Sequence, residues 1–318
     1  MPVQRDDSIL VAGARGLVGS AVVRKLERAG HGQLLTPGHK ELDLTDQEGV
    51  RRFFELKRPQ FVFLTAGKVG GIQANATQQA DFLYENLMIA ANVIRAAADF
   101  GTEKLLYLGS SCIYPREAPQ PMHESALLSG PLEKTNEGYA IAKIAGLKLC
   151  EMFHRQYGKR FISAMPTNLY GPFDNFHPTG SHVIPGMMRR FHEAKLSGAR
   201  EVVVWGSGTP RREFLHVDDL AEALYLLMLQ YEEVETINVG TGEDVTIADL
   251  ASMMKAATDL QAKIVFDRSK PDGTPRKLLD VSRIREMGWK PAIPLAKGLA
   301  DTYRWAAENV FQTPLAVG

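Results

Sequence analysis

The sequence contains few cysteines, no excess of either charge and no long apolar run. Two cysteines in 318 residues are too few for a disulfide framework. No paired Cys or His spacing predicts a zinc site, so we expect Cys112 and Cys150 to be free thiols and no metal to be bound. The 37 basic side chains of Lys and Arg equal the 37 acidic ones, which excludes a global field that attracts nucleic acid or anionic lipid.

The first eight residues are polar and mixed in charge, and no apolar run reaches the length that crosses a membrane. We therefore expect a soluble, cytoplasmic protein with neither nucleic acid nor a membrane as a partner. Hydrophobic residues make up 45% of the chain, which excludes intrinsic disorder. At 318 residues the chain is long enough for two cores or one large elaborated core.

Short apolar runs alternate with segments of helical period. The runs at residues 9–12, 61–65 and 105–108 read as strands, and residues 80–99 have the period of a helix. Strands that alternate with helices predict an α/β fold with a doubly wound parallel sheet of the Rossmann type.

A glycine-rich turn directly follows the first apolar run. Its residues are spaced as GxxGxxG, and they are Gly13, Ala14, Arg15, Gly16, Leu17, Val18 and Gly19. Such a turn lets the backbone approach a pyrophosphate, while the next helix presents free amide groups to it. The strand, turn and helix together predict a dinucleotide site, and a purely structural turn is the alternative.

About twenty residues further on, an NAD-specific fold usually offers an Asp or Glu to the ribose. Residues 36–40 contain no carboxylate and include His39 and Lys40. These two residues, with Arg15, suit the 2′-phosphate of NADP(H), which is the cofactor that we predict. The alternative is that His39 and Lys40 belong to a solvated loop.

The alternation of strands and helices weakens after residue 168 and returns at 214–229 and 236–239. We therefore predict two interleaved domains. Residues 1–170 and 214–242 would form the NADP-binding Rossmann domain, and residues 171–213 and 243–318 a smaller α/β substrate-binding domain.

Tyr139 and Lys143 are four residues apart at the start of a predicted helix, so their side chains share one face. An adjacent ammonium would lower the pKa of the phenol. Ser110 follows the run at 105–108, at the carboxyl end of a strand, where doubly wound sheets bind ligands. The three predict a catalytic set for a carbonyl group, whereas an isolated pair of this spacing is usually a surface pair.

Several longer segments carry a more specific pattern. They are Gly109-Ser-Ser-Cys112-Ile-Tyr-Pro115, Tyr139-Ala-Ile-Ala-Lys143-Ile-Ala-Gly146, Pro166-Thr-Asn-Leu-Tyr-Gly-Pro172, Asn175-Phe-His-Pro178, Ser181-His182-Val-Ile-Pro185 and Arg212-Glu-Phe-Leu-His-Val-Asp-Asp219. By these segments the sequence resembles the extended short-chain dehydrogenase/reductase family over nearly the whole chain. Within it, the sequence is similar to bifunctional enzymes that epimerise GDP-4-keto-6-deoxy-D-mannose at C3 and C5 and reduce it at C4 with NADPH, yielding GDP-L-fucose.

The resemblance implies further roles. Cys112 would be the epimerase base and His182 the acid, although a free cysteine is ordinarily a small buried hydrophobe. The implied cofactor site adds Leu108, Gly109, Ser110, Ser111, Lys143, Pro166, Thr167, Asn168, Leu169 and His182. A homodimer through the helix of Tyr139 and the helix at 80–99 is also implied.

The substrate diphosphate needs basic partners, and Arg190 and Arg212 are candidates. A solvated helix face is the alternative for Arg190 and its neighbour Arg189. The resemblance adds Trp205, Lys263 and Asp272 to the substrate site.

Two other functions remain open. A related nucleotide-sugar epimerase or dehydratase would hold NAD, and a dehydratase would carry an Asp-Glu pair where this chain has Ser111 and Cys112. A redox-sensing regulator on the same fold would lack Tyr139 or Lys143, and both are present.

Overall fold

The computed structural model describes residues 3–178, 180–270 and 272–312. In chain order the strands are β1 (Ile9–Ala12), β2 (Leu34–Leu35), β3 (Phe61–Leu64), β4 (Lys104–Leu108), β5 (Arg160–Pro166), β6 (Asn168–Tyr170), β7 (Glu201–Trp205), β8 (Arg211–Arg212), β9 (Phe214–His216), β10 (Ile237–Val239), β11 (Val245–Thr246), β12 (Lys263–Asp267) and β13 (Arg276–Lys277). The α-helices are α1 (Leu17–Arg28), α2 (Gln47–Lys57), α3 (Ile72–Thr77), α4 (Gln79–Asp99), α5 (Glu137–Tyr157), α6 (Val183–Leu196), α7 (Val217–Gln230), α8 (Ile247–Thr258), α9 (Ser282–Glu286) and α10 (Leu295–Asn309).

Six parallel strands form the central sheet, in the order β10-β5-β4-β3-β1-β2. Strands β1, β3 and β4 are buried along their whole length, as expected when helices cover both faces of a parallel sheet. The predicted α/β fold with a doubly wound sheet is confirmed. The strand order reverses between β1 and β3, and ligands of such sheets bind beyond the carboxyl ends of the strands at this point.

The buried hydrophobic side chains form two clusters. The larger surrounds the six-stranded sheet, and the smaller lies among α6, α8, α10 and the two-stranded sheet of β7 and β12. Helix α7 and strand β10 belong to the larger cluster although they follow β7 in the chain. The two regions are thus interleaved along the sequence.

The structure differs from the predicted domain division after residue 278. Leu279, Ile284 and Trp289 pack in the larger cluster, although the prediction assigned them to the substrate domain. The amide of Met122 donates to the carbonyl of Leu278 at 2.8 Å, and the amide of Asp280 donates to the carbonyl of Met122 at 2.9 Å. These long-range hydrogen bonds hold the segment after residue 278 against the domain of the six-stranded sheet. No local sequence pattern predicts such bonds.

Within the described ranges, no helix is both long and apolar enough to cross a membrane.

Candidate active site

The chain turns sharply between β1 and α1, where the predicted dinucleotide turn lies. Gly13 has a φ of +92°, and a Cβ on it would lie 2.8 Å from the backbone of Ala66, just after β3. A Cβ on Gly19 would lie 2.0 Å from the carbonyl oxygen of Gly13. The missing side chains leave a cradle at the β1–β3 crevice, next to the unbonded amides of α1, and such a cradle fits a pyrophosphate.

The basic residues predicted to bind a 2′-phosphate meet at one loop. The Arg15 guanidinium lies against Gly38, whose Cβ would be 2.5 Å from the Arg15 Cζ. His39 and Lys40 follow and are exposed. The carboxylate of Glu41, which the sequence analysis did not include, accepts from the Gly38 amide at 2.5 Å and lies 3.6 Å from the Arg15 guanidinium. The loop that follows β2 therefore does place a carboxylate beside the predicted 2′-phosphate site, because a turn brings Glu41 back to Arg15.

Ser110 and Cys112 lie just beyond the carboxyl end of β4. The Ser110 Oγ accepts a hydrogen bond from the Cys112 amide at 3.2 Å and thereby caps a single 3-10 turn, Ser111–Ile113. The Ser110 hydroxyl is also close enough to the phenol of Tyr139 to favour its deprotonated form. A hydroxyl, a thiol and a phenol thus meet at one strand end.

Tyr139 lies in the first turn of α5, with its ring packed edge-on against Phe82 of α4 at 6.4 Å between centroids. Burial raises the pKa of the Tyr139 phenol, the nearby Cys112 adds to the rise, and the interaction with Ser110 opposes it. The net shift of the Tyr139 pKa is therefore upward, opposite in direction to the lowering expected from Lys143, because loss of solvation dominates. The phenol keeps its proton at neutral pH, as a proton donor must.

Lys143 is buried one helical turn after Tyr139. Its Nζ donates to the carbonyl of Leu108 at 2.9 Å and lies 5.1 Å from the ring centroid of Tyr107 and 5.9 Å from that of Tyr139. Burial lowers the pKa of Lys143 to about 8. The ammonium is held beside the phenol, at the end of β4.

Two cations from the second half of the chain face Cys112. The Lys277 Nζ lies 3.9 Å from the Cys112 Sγ, and the Arg212 guanidinium is close enough to Cys112 to interact with it electrostatically. Burial lowers the pKa of the Arg212 guanidinium. Strands β8 and β13 pair in parallel with Arg212 beside Lys277, so both cations arrive together. Sequence reasoning missed Lys277, since 165 positions separate it from the thiol.

Three of the predicted substrate residues form a second cluster. The Arg190 guanidinium stacks over the Trp205 ring at 5.0 Å and donates to the carbonyl of Val203 at 2.9 Å. The Trp205 ring remains 60% exposed. The Asp272 carboxylate accepts from the Ser207 amide at 2.9 Å and from its hydroxyl at 2.6 Å, and it attracts Arg212 electrostatically. An aromatic face and charged groups are available there for a polar, planar ligand.

Arg189 differs from its neighbour. It is buried, its Nε donates to the carbonyl of Phe176, and its Nη1 lies 3.4 Å from the Glu193 carboxylate. The alternative of a solvated helix face is wrong for Arg189, because its side chain ties α6 to the preceding loop.

Lys263 does not join the substrate cluster. The register of β7 and β12 pairs Lys263 with Glu201 and Asp267 with Trp205. Lys263 is thus four residues, about 13 Å, from the strand end that carries Trp205. The structure gives no support for the predicted substrate contact, because parallel pairing places the two residues at opposite ends of the sheet.

His182 precedes α6 as its N-cap and is exposed. The loop before it reaches the main sheet, where the Gly71 amide donates to the Gly180 carbonyl at 2.9 Å. In the described part of the chain no hydrogen bond joins the His182 ring to Cys112.

The other residues of the predicted cofactor site follow β4 and β5. The Gly109 amide donates to the Ala164 carbonyl at 2.8 Å, and the Thr167 amide donates to the Val239 carbonyl at 3.0 Å. The Asn168 side chain donates to the carbonyl of Glu213 at 2.8 Å. Leu108, Ser111, Pro166 and Leu169 lie within the same two segments.

The Glu213 carboxylate, which sequence reasoning also missed, is fully buried at the junction of the two regions. It accepts from the amides of Gly242 at 2.8 Å and Leu279 at 3.0 Å. Burial raises the pKa of Glu213, and these hydrogen bonds oppose the rise. Glu213 joins the strand end of Arg212 to the segment that follows Lys277.

A nucleotide cradle at the strand switch and a Ser, Tyr and Lys set beside it define a nucleotide-dependent oxidoreductase or epimerase of the Rossmann type. The sequence model of the NAD dependent epimerase/dehydratase family matches residues 9–240, so the chain belongs to that family. The resemblance to the extended short-chain dehydrogenase/reductases is confirmed.

Individual proteins of this family are similar to the chain over nearly its whole length. The chain is 55% identical to the GDP-L-fucose synthase of Escherichia coli (strain K12), over 95% of this chain and 97% of the relative. It is 57% identical to GDP-L-fucose synthase 1 of Arabidopsis thaliana, over 95% and 94% respectively. A solved GDP-L-fucose synthetase from Naegleria fowleri bound to NADP has a TM-score of 0.90 at 31% identity, covering 97% of this chain and 96% of that one.

Among the described residues, no group of three or more His, Cys, Asp or Glu side chains is placed to hold a metal ion.

Proposed function

We propose that the protein converts GDP-4-keto-6-deoxy-D-mannose to GDP-L-fucose by epimerisation at C3 and C5 and reduction at C4. The observation that carries this proposal is the convergence of Ser110, Tyr139 and Cys112 at the end of β4. A ketone reductase needs the first two together with Lys143 but no thiol, so the thiol beside them supplies a second function. The relatives named as GDP-L-fucose synthases support the same product.

NADP(H) is the cofactor of this proposal, and it supplies the hydride that reduces C4. The Gly13 and Gly19 turn and the first amides of α1 would hold its pyrophosphate. Arg15, with His39 and Lys40, would bind the 2′-phosphate. Glu41 lies 3.6 Å from the Arg15 guanidinium and offsets part of its positive charge, which weakens the preference for NADPH over NADH.

Epimerisation comes first. The ketone at C4 acidifies the C–H bonds at C3 and C5. The Cys112 thiolate takes the proton, and the electron pair of the broken C–H bond moves onto the C4 oxygen. Inversion requires a new proton from the opposite face, and His182 is the proposed donor. Ser110 and Tyr139 stabilise the developing oxyanion as hydrogen-bond donors.

Reduction uses the same donors. As C4 accepts the hydride, the Tyr139 phenol gives its proton to the C4 oxygen. Burial keeps that phenol protonated beforehand, and the neighbouring Lys143 ammonium stabilises the phenolate that is left. One oxyanion site therefore serves both reactions.

The substrate's nucleotide would lie on the second region. Trp205 is largely exposed, which suits stacking on the guanine plane, and the cations of Arg190 and Lys270 lie 5.0 and 5.8 Å from its ring centroid. Arg212 lies close to Cys112 and would bind the diphosphate. Asp272 accepts from the Ser207 amide and would orient the loop beside Arg212.

The proposal includes a homodimer through α4 and α5, which pack against each other. Their outer surfaces leave large apolar side chains exposed, among them Tyr84, Leu87, Ile141 and Met152. Such a patch is typical of an interface. The proposal also places the protein in the cytoplasm, on the composition and the two free thiols.

The direct test is NADPH oxidation by the purified protein with GDP-4-keto-6-deoxy-D-mannose, with the product sugar identified by NMR. GDP-L-fucose as product establishes both inversions and the reduction. Binding of NADPH without oxidation would overturn the substrate assignment and leave the cofactor assignment standing.

A further inference from the structure

Lys277 is delivered to the Cys112 thiol by an anchored segment of backbone. The Leu278 amide, one residue after Lys277, donates to the Gln120 side chain at 2.8 Å, and the Met122 amide donates to the Leu278 carbonyl at 2.8 Å. Gln120 and Met122 belong to the loop that continues from Cys112. The chain that carries the amine is thus bonded to the chain that carries the thiol.

The Lys277 ammonium has few competing partners. Its Nζ lies 3.9 Å from the Cys112 Sγ, and among the described residues it forms no ion pair with a carboxylate. The adjacent cation, Arg276, pairs instead with Asp244. Successive strand residues point to opposite faces, so only Lys277 of this pair faces the thiol.

We propose that Lys277 is a catalytic residue, the cation that holds Cys112 as a thiolate for epimerisation. This role rests on the proposed function. The thiol first loses its proton to solvent, and Lys277 keeps all its protons. The thiolate then forms an S–H bond as the substrate C–H bond breaks, and the electron pair passes to the C4 oxygen. The thiol returns its proton to solvent before the second inversion.

Three other groups face Cys112. Ser110 accepts from its amide, Tyr139 contributes an uncharged phenol, and Arg212 is a second cation. The Arg212 Nη1 donates to the Arg211 carbonyl at 2.7 Å, which directs part of its guanidinium elsewhere. Lys277 is therefore the cation in direct contact with the sulfur.

The first test measures alkylation of Cys112 by iodoacetamide at neutral pH, because only the thiolate reacts. Cys150 is 1% exposed, and Cys112→Ser gives the background rate. We expect Lys277→Met to slow alkylation about tenfold, since one cation at contact distance is removed. Lys277→Arg should retain most of the rate.

Arg276→Gln is the matched control, because it removes a cation from the same strand but leaves the thiol contact in place. Its alkylation rate should equal that of the wild type. An unchanged rate in Lys277→Met, or an equal loss in Arg276→Gln, would overturn the proposal. Thermal melting checks the fold of each variant, and Lys277→Gln provides the same comparison if Lys277→Met does not fold.

The second test follows deuterium exchange at C3 and C5 of the substrate. Lys277→Met should slow exchange about tenfold and leave reduction of an already epimerised ketone near the wild-type rate. Equal losses in both reactions would contradict a role at the thiol. If the wild-type protein exchanges no deuterium, the proposed function fails, whereas the alkylation test still decides whether Lys277 acts on Cys112.

Discussion

The two halves of the proposed site are built differently. The reductive half, Ser110, Tyr139 and Lys143, comes from one strand end and the helix that follows it in the sheet's own domain. The epimerising half joins Cys112 to Arg212 and Lys277, which arrive from short strands 100 or more positions later. The first half depends on local spacing, and the second depends on strand register. The halves should therefore fail separately when single residues are changed.

The largest effect should come from Tyr139→Phe. We expect reduction to fall about 10³-fold, because the proton donor is lost, while binding of NADPH is unchanged. A Phe ring preserves the packing on Phe82. Stopped-flow NADPH oxidation and NADPH fluorescence titration measure the two. Deuterium exchange at C3 and C5 should survive in part, and turnover equal to the wild type would contradict the assignment.

Cys112→Ser should produce the opposite pattern with a smaller effect. Deuterium exchange at C3 and C5 should slow about 10²-fold, because an alkoxide is much harder to form than a thiolate. Reduction of an already epimerised ketone should stay near the wild-type rate. NMR of the substrate in D₂O provides the measurement, and unchanged exchange would return Cys112 to a packing role.

The pH dependence of hydride transfer should distinguish the reductive half of the site from the epimerising half. Burial lowers the pKa of Lys143 to about 8, so its ammonium is present below that pH and lost above it. The rate of hydride transfer should therefore decrease, by about tenfold per pH unit, as pH rises above about 8. Single-turnover rates across pH measure this, and Lys143→Met should abolish the decline. A rate that stays constant up to the ordinary pKa of lysine would show that Lys143 keeps its proton well above pH 8, and a decline that persists in Lys143→Met would show that the ammonium does not cause it.

The smallest effect should be at the rim of the cofactor site. Arg15→Met should raise the KM for NADPH about fivefold and leave that for NADH unchanged, because an exposed charge contact contributes little. Glu41→Gln is the matched control, and it should lower the KM for NADPH slightly by freeing Arg15. Steady-state kinetics with both cofactors decides, and equal changes for NADPH and NADH would remove Arg15 from the 2′-phosphate site.

Local patterns predicted much of the sheet. The first strand was expected at 9–12 and is Ile9–Ala12, and the helix expected at 80–99 is Gln79–Asp99. Strand β2 was not predicted, because two residues are too short to show a period. Two other predictions differ from the structure because they depend on contacts between residues far apart in the sequence. Lys263 lies at the wrong end of its strand pair, and residues 279–289 pack on the larger core.

The sequence by itself determined the fold class, and it predicted the nucleotide turn and the pair of Tyr139 and Lys143. These depend on spacings within one turn, strand or helix, and such spacings translate directly into geometry. Only the tertiary structure placed Lys277 against Cys112, returned Glu41 to Arg15 and buried Glu213 between the two regions. Those contacts depend on strand register and loop path, which long-range hydrogen bonds set and no short sequence pattern contains.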